Sequence, residues 1–236
     1  MNYDRQAARY DSTRGGPARA AAAAEAIEKL LPADAWLVLD VAGGTGIVGQ
    51  HLAGRTVCSV DRSAGMSALA ATRLPGRVAL GDARCLPIAD ASVDAVTLVW
   101  LLHLLDKADS AAVVAEAARV LRPGGTLVTT VDKTRAQLAT GDDVGRLLLP
   151  AWEASGFPVT DGVDRVTRLG AEHGLVWQAG TTFIGVGQGN SPRGWQSAAT
   201  NAWHWIGDVV PDLAALPDQD RRRGDPVYRV AALVRQ

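Results

Sequence analysis

The sequence predicts a doubly wound α/β sheet, and three observations carry that prediction. Apolar strand-like runs alternate with helical segments from residue 17 to residue 131. The first of these runs ends in a glycine-rich turn, Gly43-Gly44-Thr45-Gly46. Acidic residues Asp40, Asp61 and Asp82 then close three successive strands. On such sheets ligands bind outside the carboxyl ends of the strands, so these acids form a polar ledge along one ligand.

The elements follow in order. Residues 2–14 are polar, with Tyr3 and Tyr10 at a spacing that can share a helix face. Residues 17–31 form an Ala-rich helix: Pro17 suits its first turn, and Ile27, Leu30 and Leu31 give an apolar edge. Residues 37–41 are the first strand, after which Ile47, Val48 and Leu52 suit the start of a helix. Residues 57–60 are a second strand ending on Asp61, and Ser63 can cap a helix reaching residue 71. Residues 78–80 are a third, closed by Gly81-Asp82. Residues 93–100 are a fourth. Residues 110–121 then make an amphipathic helix with Val113, Val114, Ala117 and Val120 on its apolar side. Pro123-Gly124-Gly125 turns into a fifth strand at 126–131.

Beyond residue 131 the pattern loosens. Residues 143–155 read as a helix, 176–186 as a strand interrupted by Gly180 and Gly185, and 227–234 as a closing strand. Between them Trp195, Ala199, Trp203 and Ile206 repeat at helical spacing. The strands number seven.

Bulk properties bound the function. A chain of 236 residues suits one domain that buries about 70% of its unfolded surface without disulfide or metal staples. Hydrophobic residues at 47% and charged residues at 21% describe an ordinary globular protein. A net charge of -1, from 24 basic and 25 acidic side chains, makes no electrostatic case for nucleic acid. Cys58 and Cys85 show no metal or redox spacing and read as packing residues in a reducing compartment. Charges at Asp4, Arg5, Arg9 and Asp11 occupy the place of a secretory apolar core. The longest apolar run, 96–105, is too short to span a bilayer. The expectation is a soluble, cytoplasmic monomer or homodimer with no metal, nucleic-acid or membrane partner.

The glycine turn admits two cofactors. Gly44-Thr45-Gly46-Ile47-Val48-Gly49 follows G-x-G-x-x-G, and Asp61 stands 17 positions after Gly44, near the spacing of a ribose-binding acid. That pattern alone would suit an NAD-dependent oxidoreductase. Asp40 before the glycines opposes it, since a carboxylate there would repel a pyrophosphate. Gly81-Asp82-Ala83 adds another acid to the rim, and Arg122-Pro123-Gly124-Gly125 leads into the fifth strand.

Together these residues resemble the class I S-adenosylmethionine (SAM) dependent methyltransferases of small-molecule type. SAM carries a sulfonium and an amino group, so acids around it are favourable. The resemblance covers residues 3–131 and is strongest at 38–46, 61–66, 81–83 and 119–125. The loop is most similar to that of the ubiquinone and menaquinone C-methyltransferases, in which Ala also replaces one glycine, here Ala42. The resemblance implies a Rossmann-like, mostly parallel seven-stranded sheet with an antiparallel last strand and helices on both faces. Residues 1–16 would be an N-terminal lid, and about 140–217 would contain the acceptor-side elements.

It also implies roles. Asp40 with Ala42, Gly43, Gly44 and Gly46 would face the methionine end of SAM. Asp61 would accept both ribose hydroxyls, its two oxygens suiting a vicinal diol. Arg62 and Met66 would flank adenine, while Asp82 and the Ala83 N–H would read its edge. Val99 or Trp100 would offer a carbonyl to the methionine amine. In the lid, Tyr10 would lie near the transferring methyl and Arg14 near the SAM carboxylate. Tyr3 belongs to the same motif and would face the acceptor.

His103, just after the fourth strand, reads equally as a general base or as a packed histidine. His204 is its rival, and His51 and His173 read as surface residues. Trp195 and Trp203 would share a helix face with Ile206, either as core or dimer contact or as walls of an aromatic acceptor pocket. The sequence thus supports methyl transfer to a small molecule, yielding S-adenosylhomocysteine (SAH), with the methylated atom open. A non-catalytic SAM-binding module and an NAD enzyme are the alternatives.

Overall fold

The computed structural model describes residues 3–201 and 203–236, apart from the side chains of Thr200, Asn201 and His204. The described residues form one seven-stranded sheet from β1 (Leu37–Val41), β2 (Thr56–Asp61), β3 (Val78–Leu80), β4 (Val93–Leu98), β5 (Leu121–Val131), β6 (Leu175–Ile184) and β7 (Val227–Arg235). Its order is β3-β2-β1-β4-β5-β7-β6, with β7 antiparallel to both neighbours and the other pairings parallel. Chain order reverses between β1 and β4. The carboxyl ends on either side of that switch therefore face a common crevice.

Helices α1 (Tyr3–Thr13), α2 (Gly16–Glu28), α3 (Ala64–Arg73), α4 (Lys107–Val120) and α5 (Lys133–Leu138) come first. They are followed by α6 (Asp143–Ala154), α7 (Val163–Glu172), α8 (Pro192–Asn201) and α9 (Val210–Ala215). Strand alternation splits the core in two. Leu39, Val41, Val96 and Leu98 pack with Val113, Val114 and Ala117 of α4 and with Val166 and Leu169 of α7. On the other face Val38, Val57, Ala95 and Val128 pack with Ala20, Ala23, Ala24 and Ile27 of α2. Each Leu, Ile or Val so buried contributes about 1.5–3 kcal/mol. The Ala-rich side of α2 lets that helix lie close to the sheet.

A third cluster stands apart: Leu138, Val144, Leu148, Trp152, Trp195, Ile206 and Leu213 join α6, α8 and α9 into a helical cap. The expected continuous helix through Trp195, Trp203 and Ile206 is therefore corrected. Helix α8 ends at Asn201, and a 3-10 segment, His204–Val209, follows. Helices α5 and α9 carry no strong sequence signal because each is only six residues long, whereas α7 has an amphipathic pattern that the sequence reading passed over.

Other differences are local. The stretch after the glycine turn holds only a 3-10 turn, Gly49–His51, because glycines at 46, 49 and 54 leave too few helix-forming residues. Strand β5 begins at Leu121, but its pairing with β4 jumps from Leu121 to Thr126 and Gly124 takes φ 78°, so the expected turn at 123–125 survives as a bulge within the strand. Helix α4 begins three residues before the expected start, with the Asp106 side chain accepting from the Asp109 N–H. Cys85 is exposed rather than packed, and Cys58 is half-buried. His51 is half-buried rather than on the surface. No helix among the described residues is long and apolar enough to cross a membrane.

Candidate active site

The crevice at the switch point opens into a cavity of about 250 Å³. Ala42 and Gly44 line it from the end of β1, Asp61, Arg62 and Met66 from the end of β2 and α3, and Asp82 and Ala83 from the loop after β3. Val99 and Trp100 close it after β4, with Tyr3 and Tyr10 of α1 across the mouth. The side of Gly44 on which a Cβ would stand is open space, and its φ of +58° suits glycine. Ala42 and Trp100 take the same left-handed conformation at φ 55° and 56°. Each such residue costs of order 1–3 kcal/mol, and both stand on the cavity wall.

Asp61 organises the loop. Its Oδ2 accepts from the Gly44 N–H at 2.9 Å and its Oδ1 from the Ser63 N–H at 2.8 Å. Ser63 in turn caps α3 by accepting from the Met66 N–H at 3.2 Å. Asp82 accepts from Arg84, at 2.6 Å through Oδ2 and 3.0 Å through Oδ1. Those hydrogen bonds hold its carboxyl down at about 2, so it stays ionised.

Asp40, expected on the same ledge, does not line the cavity. It is 2% exposed, beneath the glycine turn, and its Oδ1 accepts from Thr97 Oγ1 at 2.7 Å. Its Oδ2 has no partner and lies 2.6 Å from where a Cβ on Gly43 would stand. Burial pushes this carboxyl up to about 6. Gly43 and Gly46 also lie off the cavity wall. Gly46, at φ +74°, is pressed against Ala70, so its glycine is needed for packing as well as for the turn.

A second cavity of about 230 Å³ adjoins the first. Tyr3, Tyr10, Trp100 and Leu104 belong to both. The second is walled further by His103, Trp203, Trp205 and Phe157, with Arg14, Arg19 and Lys133 facing in. His103 Nδ1 is buried without a partner. Burial, then the charges of Lys133, Arg14 and Arg19, hold this histidine well below its usual range, so it is neutral near pH 7. Trp195 does not reach this cavity. It is 5% exposed inside the helical cap, its ring centroid 5.4 Å from that of Trp203. The two tryptophans therefore divide the alternatives: Trp195 is core and Trp203 is pocket wall. The side chain of His204 lies outside the described residues.

Helix α1 is latched over the crevice at both ends. Asp4 Oδ1 accepts from Ser63 Oγ at 2.6 Å and from the Gly65 N–H at 2.9 Å. Asp11 accepts from Thr45 Oγ1 at 2.7 Å and pairs with Arg73 at 2.7 Å. Helix α1 thereby touches the glycine turn and α3, the same two elements that Asp61 joins. Arg14 lies 5.9 Å from the Tyr10 ring centroid.

Sequence reasoning overlooked Arg19, Lys133, Phe157 and Trp205. Arg19 sits in the Ala-rich helix and is 7% exposed, with its guanidinium 3.6 Å from the Trp100 ring centroid. Its one sequence signal is a long cation inside an apolar face. Lys133 follows Asp132, another non-glycine residue at positive φ, 52°. Among the described residues no group of His, Cys, Asp and Glu side chains could hold a metal ion.

Residues 39–129 match the model of a methyltransferase domain family. An uncharacterized methyltransferase of Mycobacterium tuberculosis is 38% identical over 142 residues, 59% of this chain and 56% of the relative. A demethylmenaquinone methyltransferase of Mycolicibacterium vanbaalenii is 42% identical over 151 residues, 63% of this chain and 64% of the relative. The chain thus spans little more than half the length of the first of these curated relatives. Among solved structures, a SAM-dependent methyltransferase of Thermotoga maritima is similar with a TM-score of 0.58 at 18% identity, covering 99% of this chain and 98% of that one. The 4+2 cyclase SpnF is similar at 0.62 and 17% identity, covering 99% and 93%. These two likenesses concern the fold alone.

Proposed function

We propose that this chain, which carries a methyltransferase domain of the SAM-dependent family, transfers a methyl group from SAM to a small-molecule acceptor. The observation that supports this best is the pair of adjoining cavities with Tyr3, Tyr10, Trp100 and Leu104 in common. The first has the open side of Gly44 and the carboxylate of Asp61 on its wall; the second has room for another reactant. In this reading the donor occupies the first cavity: Asp61 would take the ribose diol, Met66 and Arg62 the adenine faces, and Asp82 the adenine amine. The main-chain carbonyls of Val99 and Trp100 would take the methionine amine. The sequence after the glycine turn favours this donor over a dinucleotide, since a three-residue 3-10 turn offers no α-helix N-terminus to a pyrophosphate.

When bound, SAM supplies an electrophilic methyl group on a sulfonium centre. The chain's own work is to align and to exclude water. Trp100 and Tyr10 would stand at the passage between the cavities, where in-line approach over about 3 Å accounts for much of such an acceleration. Helix α1, held by Asp4 and Asp11, would keep solvent out. His103, neutral near pH 7 and on the wall of the second cavity, would accept the proton of an oxygen or nitrogen nucleophile.

Calorimetry tests the reading. Wild-type protein should bind SAM and SAH in the micromolar range, and Asp61→Ala should weaken both about a hundredfold, since diol and loop anchors go together. No heat with either ligand at high micromolar concentration, alongside a response to NADH, would replace this reading with that of a dinucleotide enzyme.

A further inference from the structure

We infer that the second cavity selects an acceptor with a flat apolar body and an anionic group, an oxyanion held by Arg19 and Lys133. The inference rests on the methyl-transfer reading only in calling that ligand the acceptor. Three cations reach one small cavity from separate elements: Arg14 just after α1, Arg19 from α2 and Lys133 from the start of α5. No Asp or Glu is among the residues that line it. The polar partners of Arg19 and Lys133 are side-chain amides, Gln188 Oε1 at 2.9 Å and Gln137 Oε1 at 2.7 Å. Neither cation forms a salt bridge among the described residues.

Cations withdrawn from water without an ion-pair partner are costly, and the cost shows at Lys133, where the charge of Asp161 offsets only a small part of it. Burial, then the nearby Arg14 and Arg19, press its ammonium down to about 8. An entering carboxylate or phosphate would neutralise that excess and gain charge-assisted hydrogen bonds. The rest of the wall specifies the body. Tyr3, Tyr10, Trp100, Trp203, Trp205 and Phe157 surround the space with ring faces and edges. At the rim Leu104 is 56% exposed and Phe157 48%, large apolar side chains that a bound ring would cover. Arg19 is already fixed on the Trp100 ring, which places its charge beside the passage shared by the two cavities.

An anion there has two sources, the acceptor or the methionine carboxylate of the cofactor, and the experiment separates them. Calorimetry of the full chain uses 2-naphthoate and its neutral isostere 2-naphthamide, each with and without saturating SAH. The naphthoate is expected to bind about tenfold more tightly than the amide. Lys133→Met should abolish that preference while leaving SAH affinity within about twofold. Because the comparison of the two probes is made on wild-type protein, it stands even if a variant fails to fold. Equal affinity, a preference for the amide, or no binding of either at millimolar concentration overturns the inference. A Lys133→Met variant that loses SAH affinity but keeps the naphthoate preference also overturns it, and assigns the cation to the cofactor. Failure of SAH to bind wild-type protein instead removes the methyl-transfer reading, and the probes without SAH still decide whether the cavity takes an anion.

Discussion

Asp40 illustrates how a strand-end acid can be recognised in sequence and yet do something else in the fold. Burial raises its carboxyl to about 6, whereas in the unfolded chain it titrates near 4. Between about pH 4 and 6 the folded state keeps a proton that the unfolded state has lost, so stability falls as pH rises through that window. The loss is of the order of 3 kcal/mol. Asp40→Asn should remove this dependence, so that urea midpoints of variant and wild type converge at low pH and separate above pH 6. Parallel curves across the range would exclude a raised Asp40. His103 works in the opposite sense: its depressed value costs stability as pH drops below about 6.5, where the unfolded histidine charges. At this scale Gly44, Asp61 and Asp82 were legible, because a turn at a strand end needs particular residue types. Arg19 and Lys133 were not, since a lone cation reveals nothing of which charges the fold will gather round it.

At the scale of elements, helix α1, the proposed lid, is held by polar contacts rather than by a core. Ala7 is the buried residue of α1, and Asp4 and Asp11 tie the helix to α3 and the glycine turn. Asp11→Ala deletes one hydrogen bond and one partly buried ion pair, together worth about 1 kcal/mol. SAH affinity should then fall about fivefold and amide exchange in α1 should quicken, both without loss of global stability. Unchanged exchange in α1 would show that the latch lies elsewhere. The helical cap teaches a complementary lesson. Its tryptophans repeat at helical spacing in the sequence, but α8 stops at Asn201, and the break separates a core residue, Trp195, from a wall residue, Trp203. Periodicity reports apolar spacing and is blind to where a helix ends when no strong cap marks the end.

For the whole molecule, a ligand in the switch-point cavity would touch β1, β2, the loop after β3 and α1 at once, so its binding would be linked to global stability. SAH at a hundred times its dissociation constant should add about 2.7 kcal/mol and raise the melting temperature by about 5–10 °C. Asp61→Ala should lose most of that shift at the same concentration. The sequence by itself determined the seven strands, the mostly parallel α/β class and the strand-end rim on which the cavity opens, because strand periodicity and glycine turns are local. Tertiary structure alone decided that Asp40 goes under the turn while Asp61 and Asp82 face the cavity. It also decided that Arg19 and Lys133, 114 positions apart, point into one aromatic pocket. Those outcomes depend on desolvation and long-range charge, which exist only once distant segments have closed around the same space.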